Sequence, residues 1–255
     1  MEMKNVKEHL EECVILKDLG SAKVFIGMNM TRDRIKRVIY IDQAHYGKAM
    51  LSRYGMSECN PISIPMQPGK KLCKAGTVLS TNETKLFQAM VGSIGYMMNC
   101  TRPNLAYALG KVAQFVSNPT EKHLATVKQI FRYIKGSLNT KLCISLKNPQ
   151  GDRVLAFFDF SWADDIEDKR STFGYVVLFG TTPLIWKSRK HKVISLSTTD
   201  TEYVAATEVT RDICHVQNLF ESIGIILQKP VILYGDNFNA NGSYTIFYMM
   251  LALPQ

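Results

Sequence analysis

The sequence predicts a mixed α/β (α+β) chain in which a helical stretch precedes a sheet-bearing one. Three observations carry that reading. Residues 84–136 place apolar side chains at helical spacing, turn after turn. From residue 142 the period changes to short apolar runs of strand type, with one long helical pattern at residues 199–223 between them. And residues 154–162, VLAFFDFSW, form an apolar, aromatic run with a carboxylate, Asp159, set inside it.

Asp159 organises the functional reading. Strand formers on both sides of it place its backbone in a sheet. A charge there needs a cation, a hydrogen-bond network or a metal ion to offset its desolvation. The arrangement recurs at residues 231–236, VILYGD, a second apolar strand that ends in Asp236. Between the two, residues 197–208, STTDTEYVAATE, open with capping residues and carry Glu202 one turn into a helix. Two strand Asp residues and one helical Glu meeting at a sheet end can hold divalent metal. Any one of these acids alone is more often an ordinary surface or capping residue.

The elements follow in order. Residues 2–13 put Met3, Val6 and Leu10 on one helical face. Residues 22–30 and 35–41 read as strands joined by a polar turn at 31–34. Asp42 suits the cap of a helix with Tyr46, Met50 and Tyr54 on its face and Gly55 just past its end. Residues 59–80, with Pro61, Pro65, Pro68 and Gly69, are a connecting segment. In the helical stretch, Leu86, Met90, Ile94 and Met97 line one inward face. Thr101 and Pro103 open a second helix, with Leu105, Leu109, Val112 and Val116 inward. Asn118 to Glu121 open a third, whose apolar face is Leu124, Val127, Phe131 and Ile134 and whose end is Gly136. Lys128, Arg132 and Lys135 share its other side, a stripe that suits both a solvated face and a phosphate-contacting one. Strands are expected at 142–146, 154–160, 173–179, 182–187 and 231–236, with the helix at 199–223 burying Tyr203, Ala206, Val209, Ile213, Val216 and Phe220. Lys187, Arg189, Lys190, His191 and Lys192 follow Trp186 as a basic turn, which suits a solvated hairpin end and a phosphate contact equally. His45, His123 and His215 have no partner at useful spacing and read as structural or exposed.

Composition bounds the class. The chain has 255 residues, 46% of them hydrophobic, enough for one large domain or two ordinary ones with a real core. A formal charge of +9 favours a polyanionic partner. The six cysteines, Cys13, Cys59, Cys73, Cys100, Cys143 and Cys214, form no C-x-x-C pair, which fits reduced thiols in the cytoplasm or nucleus. The charged start has no signal-peptide core, and no apolar run reaches membrane-spanning length.

The ordered blocks KDLGSAKVFIGMNM, YGMSECNPISIPMQP, MVGSIGYMMNCTRPNLAYAL, FVSNPTEKHLATVKQIFRYIKG, RSTFGYVV, IWKSRKHK, LSTTDTEYVAATE and YGDN resemble the C-terminal part of a copia-type LTR retrotransposon Pol polyprotein. The resemblance runs from about residue 4 to about residue 240. It implies that residues 1–58 are a remnant of the reverse-transcriptase palm end and residues 59–83 a linker. Residues 84–147 correspond to the helical thumb and connection region, and residues 152–240 to a ribonuclease H-like mixed sheet with packed helices. The polymerase motif Tyr-x-Asp-Asp is absent, so no polymerase activity is expected.

By the same resemblance Asp159, Glu202 and Asp236 fall on three of four metal-binding carboxylates. They imply Mg²⁺ or Mn²⁺ as cofactor and cleavage of RNA in an RNA–DNA hybrid, where two ions roughly 3.5–4 Å apart clamp the attacking and leaving oxygens. Lys128, Arg132, Lys135, Lys187, Arg189, Lys190 and Lys192 become candidate contacts to nucleic acid, with other Pol segments as further partners. Two departures stand out: Ser161 occupies the place of the family's second Asp, and residues 241–255 form an apolar tail unlike the family. The domain is therefore expected to be truncated and impaired. The alternative is a non-catalytic nucleic-acid-binding or functionless remnant of a retroelement.

Overall fold

A computed structural model describes residues 3–15, 17, 20–145, 153–161, 165, 167–191, 198–235 and 245–249, with backbone alone at 3–6, 198–203, 229–230 and 245–249. After a first helix α1 (Met3–Glu11) come three strands, β1 (Val24–Phe25), β2 (Met28–Asp33) and β3 (Val38–Asp42). Four helices follow: α2 (Ala44–Arg53), α3 (Thr81–Cys100), α4 (Ala106–Ala113) and α5 (Glu121–Gly136), and then β4 (Leu142–Ser145). The second half holds β5 (Arg153–Ser161), β6 (Thr172–Phe179), β7 (Thr182–Lys190), α6 (Thr198–Ser222), β8 (Gln228–Gly235) and β9 (Thr245–Met249). Helices and both mixed and antiparallel sheets make the chain α/β (α+β).

The strands form two sheets, ordered β1-β2-β3-β4 and β7-β6-β5-β8-β9. Among the described residues only β5 and β8 pair in parallel, as a crossover through α6 requires. β4 falls on the strand expected at residues 142–146 and belongs to the first sheet. It pairs antiparallel with β3, Ile41 opposite Leu142 and Val38 opposite Ser145, and so closes the first sheet. β9, drawn from the apolar tail, pairs antiparallel with β8 and forms an edge of the second sheet.

The first core joins α2 to α5, with Met50, Phe87, Met90, Ile94, Met97, Leu105, Val112, Ile130, Phe131 and Ile134 buried together. Its details correct several local expectations. The turn expected at 31–34 lies after β2 instead, where the Asp33 carboxylate accepts from the Lys36 amide at 2.9 Å. Leu86 is 42% exposed and Phe87 takes its inward place, because the buried face of α3 runs through Phe87, Met90, Val91, Ile94 and Met97. Thr101 closes α3 rather than opening the next helix, and its hydroxyl donates to the Gln43 side chain at 2.7 Å. A 3₁₀ turn, Pro103–Leu105, leads into α4. The box at the start of α5 is built by Thr120 and His123, whose Nδ1 accepts from the Thr120 amide at 2.9 Å. His123 is fully buried and stacks on Phe115 at 3.9 Å, so its role is structural.

The second core lies on one face of the five-stranded sheet. Val154, Ala156 and Phe158 of β5, Phe173, Tyr175 and Val177 of β6, and Val231 and Leu233 of β8 meet Ala205, Val209, Ile213 and Val216 of α6. Ala206 and Phe220 border this core half-buried, while Tyr203 lies outside the described side chains. α3 and α4 approach β6 and β7 from the other half: Trp186 Nε1 of β7 donates to the Met98 carbonyl of α3 at 2.9 Å, and Lys111 Nζ of α4 donates to Thr172 Oγ1 of β6 at 3.1 Å.

Candidate metal and nucleic-acid site

Strand alternation decides which way Asp159 faces. Because Val154, Ala156 and Phe158 are buried against α6, Leu155, Phe157 and Asp159 belong to the opposite face of the sheet. There Phe157 is 43% exposed and stacks on Tyr234 of β8, ring centroids 4.9 Å apart. Asp159 is exposed and stands opposite Gly174 of β6, where the missing side chain leaves room above the strand. It lines a hollow of about 640 Å³ together with Phe157, Gly174, Val176 and Tyr234. It also lines a second one of about 380 Å³, whose far wall comes from Pro103, Asn104 and Tyr107 of the helical half.

The other two carboxylates are reached through backbone alone. Glu202 lies one turn into α6, three residues before the fully buried Ala205, and its side chain is outside the described residues. β8 ends at Gly235, paired with Phe158 next to Asp159, and Asp236 is likewise outside the described residues. Among the described residues no group of three or more His, Cys, Asp and Glu side chains could hold a metal ion. Asp159 by itself has the right chemistry: hard carboxylate oxygens, exposed beside a roomy hollow, suit Mg²⁺ or Mn²⁺, which keep several waters.

The basic turn expected at residues 187–192 is a strand as far as Lys190, because β7 pairs with β6 along its whole length, Thr172 opposite Lys190. Two of its cations are committed inside the fold. Lys187 Nζ sits 2.6 Å from the Asp212 carboxylate of α6, which also accepts from the Tyr175 hydroxyl at 2.5 Å. Burial pushes the Asp212 carboxyl up, but the Lys187 ammonium and the Tyr175 hydroxyl outweigh it and hold the group below the ordinary Asp value. Burial and that same carboxylate raise the Tyr175 hydroxyl well above its usual range. Lys190 Nζ is held by Asp165 at 2.7 Å and Asp168 at 2.8 Å. Its burial favours the neutral amine, yet the two carboxylates prevail and raise its value. Arg189 is exposed, and Lys192 lies outside the described residues.

On α5 the three cations also differ. Lys128 is exposed, Arg132 donates through Nε to the Asn60 carbonyl at 2.7 Å, and half-exposed Lys135 borders a shallow hollow with Lys48. Local spacing had no means of revealing Asp165, Asp168 and Asp212 as partners. Asp212 is 25 residues from Lys187, and its helix neighbour Ile213 marks only that this part of α6 faces the sheet.

The chain is 32% identical over 240 residues to the retrovirus-related Pol polyprotein from transposon TNT 1-94 of Nicotiana tabacum, covering 92% of this chain and 18% of that one. It is also 32% identical over 236 residues to the Pol polyprotein from transposon RE1 of Arabidopsis thaliana, covering 92% and 16%. An uncharacterised mitochondrial protein of Arabidopsis thaliana, AtMg00810, is 30% identical over 190 residues, 74% of this chain and 76% of that one. The chain therefore spans less than a fifth of the first two relatives' length. No family model matches, and no solved structure matches. Among the described residues no helix is long and apolar enough to cross a membrane.

Proposed function

Because the chain belongs to the retrovirus-related Pol polyproteins of copia-type transposons, we propose that its second sheet is a ribonuclease H-type domain. It cleaves the RNA strand of RNA–DNA hybrids. The observation that carries this reading is the setting of Asp159. It is an exposed carboxylate on a central strand, beside the end of a parallel strand that leads to Asp236, with the crossover helix between them carrying Glu202. Asp159, Glu202 and Asp236 would hold Mg²⁺ or Mn²⁺. Bound there, the metal would lower the pKa of a water nucleophile and stabilise the leaving oxygen.

This chain's own residues shape the rest. Asp159 offers an exposed carboxylate at the rim of an apolar hollow. The Lys187–Asp212–Tyr175 cluster pins edge strand β7 and strand β6 to α6, and so fixes the helix that bears Glu202 against the sheet that bears Asp159. The exposed cations Lys128 of α5 and Arg189, which stands opposite Phe173 on the α6 side of the sheet, would contact phosphates away from Asp159 itself. With three carboxylates and Ser161 where the family has a further Asp, cleavage by this polypeptide is weak.

The test is an assay of the purified chain on an RNA–DNA hybrid with Mg²⁺ or Mn²⁺. Slow cleavage that Asp159→Asn abolishes is the expected result. Cleavage that survives Asp159→Asn overturns the assignment. Hybrid binding without any cleavage favours the non-catalytic alternative.

A further inference from the structure

We propose that the cleft between the 3₁₀–α4 segment and strands β5–β7 seats one strand of the hybrid. Tyr107, from the helical half, is then the residue whose ring packs on a sugar of that strand. This rests on the nucleic-acid reading of Asp159 and adds a contact from outside the sheet. The cleft, about 380 Å³, has Pro103, Asn104 and Tyr107 on one wall and Asp159, Ser161 and Thr172 on the other.

Helical spacing turns Tyr107 into this space. Ala108 and Leu109, which follow it, are buried in the core of the first half, whereas Tyr107 is 47% exposed and lines the cleft beside Ala106. The ring is nonetheless held in place. Lys111, one turn on, lies 5.5 Å from the ring centroid and donates the same ammonium to Thr172 across the cleft. Two further contacts join the walls. Trp186 bonds the Met98 carbonyl, and Gly110 packs so closely on β7 that a Cβ there would lie 3.1 Å from the Ser188 carbonyl oxygen.

Its chemistry matches a nucleic-acid strand better than a peptide or a lipid. An aromatic ring packs on a sugar whatever the base, and the 2′-hydroxyl and sugar edge are what a hybrid duplex presents to a protein surface. Hydroxyls such as Ser161 and Thr172 suit sugar and phosphate oxygens. Asp159 at the far end places the candidate cleavage chemistry on the same strand that Tyr107 holds. Among the cleft residues Lys187 is engaged by Asp212, so packing rather than charge carries the contact.

The experiment measures binding of a fluorescent RNA–DNA hybrid to the full chain by anisotropy at several salt concentrations. Every arm carries Asp159→Asn so that no substrate is consumed. Tyr107→Ala is expected to weaken binding several-fold. Tyr107→Phe should bind like the parent, and Tyr107→Leu, which keeps an apolar side chain but no aromatic face, should weaken it like Ala. The slope of log affinity against log salt stays unchanged, because no phosphate contact is removed. Equal affinities for Tyr107→Ala and parent overturn the inference, as does a parent that binds no hybrid. Loss of affinity in both Tyr107→Ala and Tyr107→Leu sustains it even where the unaltered chain cleaves nothing, an outcome that sinks only the ribonuclease reading.

Discussion

The two halves of the molecule treat their apolar faces differently. In the first, α2 to α5 close around a core in which Phe87, Ile94, Val112, Ile130, Phe131 and Ile134 have no exposure at all. In the second, α6 seals one face of the sheet, while the other presents Phe157, Tyr234 and Asp159 to two hollows. Polar groups are fastened inside both halves. In the first, Arg102, 3% exposed, fastens the end of α5 through the Ser137 carbonyl at 3.0 Å, and Thr101 and Gln43 bond each other inside. In the second, Asp212 holds Lys187 and Tyr175, while Asp159 stands on the open face within reach of solvent. A closed unit supports, and an open one is where chemistry has room to occur.

Breaking the closed half should have the largest effect. Phe131→Ala removes a fully buried ring that meets Tyr54 edge-on at 5.3 Å, and is expected to cost about 3–5 kcal/mol. Denaturant unfolding checks it, and a loss below about 1 kcal/mol would mean the core is looser than its packing implies.

How much of this was legible in the sequence follows the range of the interactions involved. α3 and α5 were readable because their cues are local: apolar spacing, a capping residue, and Gly136 at an end. Residue-level faces were less secure, since Leu86 and Phe87 both continue a helical apolar pattern and only tertiary packing selects Phe87. The strand β4 was legible but its partner was not, because β3 lies about a hundred residues earlier, beyond the reach of any periodicity. The cations of β7 read as a turn because the acids that hold them, Asp165, Asp168 and Asp212, come from a loop and a helix. For the candidate site, the strand setting of Asp159 was visible as a carboxylate in an aromatic run. Its facing away from α6 was not, because alternation names two faces without saying which one a helix will cover.

A middle-sized effect is expected where the second half is fastened. Asp212→Asn leaves the half-buried Lys187 ammonium and the Tyr175 hydroxyl with a weaker partner, costing about 1–2 kcal/mol. The pH dependence has a definite sign. A carboxyl depressed in the folded state contributes stability that is present above its unfolded value and lost as pH falls through the folded one. The contribution of Asp212 is therefore intact at neutral pH and fades below the ordinary Asp value of 3.8. Thermal melts from neutral pH down to about 3 should show Asp212→Asn converging on the parent at the acid end. A gap that stays constant with pH would show that the charge of Asp212 is not what matters.

The open face should tolerate change. Phe157→Thr removes an exposed ring but keeps a strand-forming, β-branched side chain, so stability should move by less than about 1 kcal/mol. A loss as large as that of Phe131→Ala would mean that the face is covered by part of this chain, and the contrast between halves would fail.

The smallest effect concerns cations, and it separates those facing solvent from those engaged inside. Lys128 is exposed on α5, whereas Lys190 lies between Asp165 and Asp168. If the basic surface meets a hybrid through phosphates, Lys128→Gln should weaken binding a few-fold and reduce the salt slope by about one, with the melting temperature unchanged. Lys190→Gln should do the reverse. Its ammonium neutralises two carboxylates, so its loss lowers stability and leaves a repulsive Asp165–Asp168 pair, while the salt slope stays near that of the parent. Anisotropy titrations at several ionic strengths, read beside melting curves, distinguish the two patterns. If Lys190→Gln reduces the salt slope as Lys128→Gln does, the ion pairs of β7 open to meet the ligand. The line drawn here between fastening cations and binding cations would then be in the wrong place.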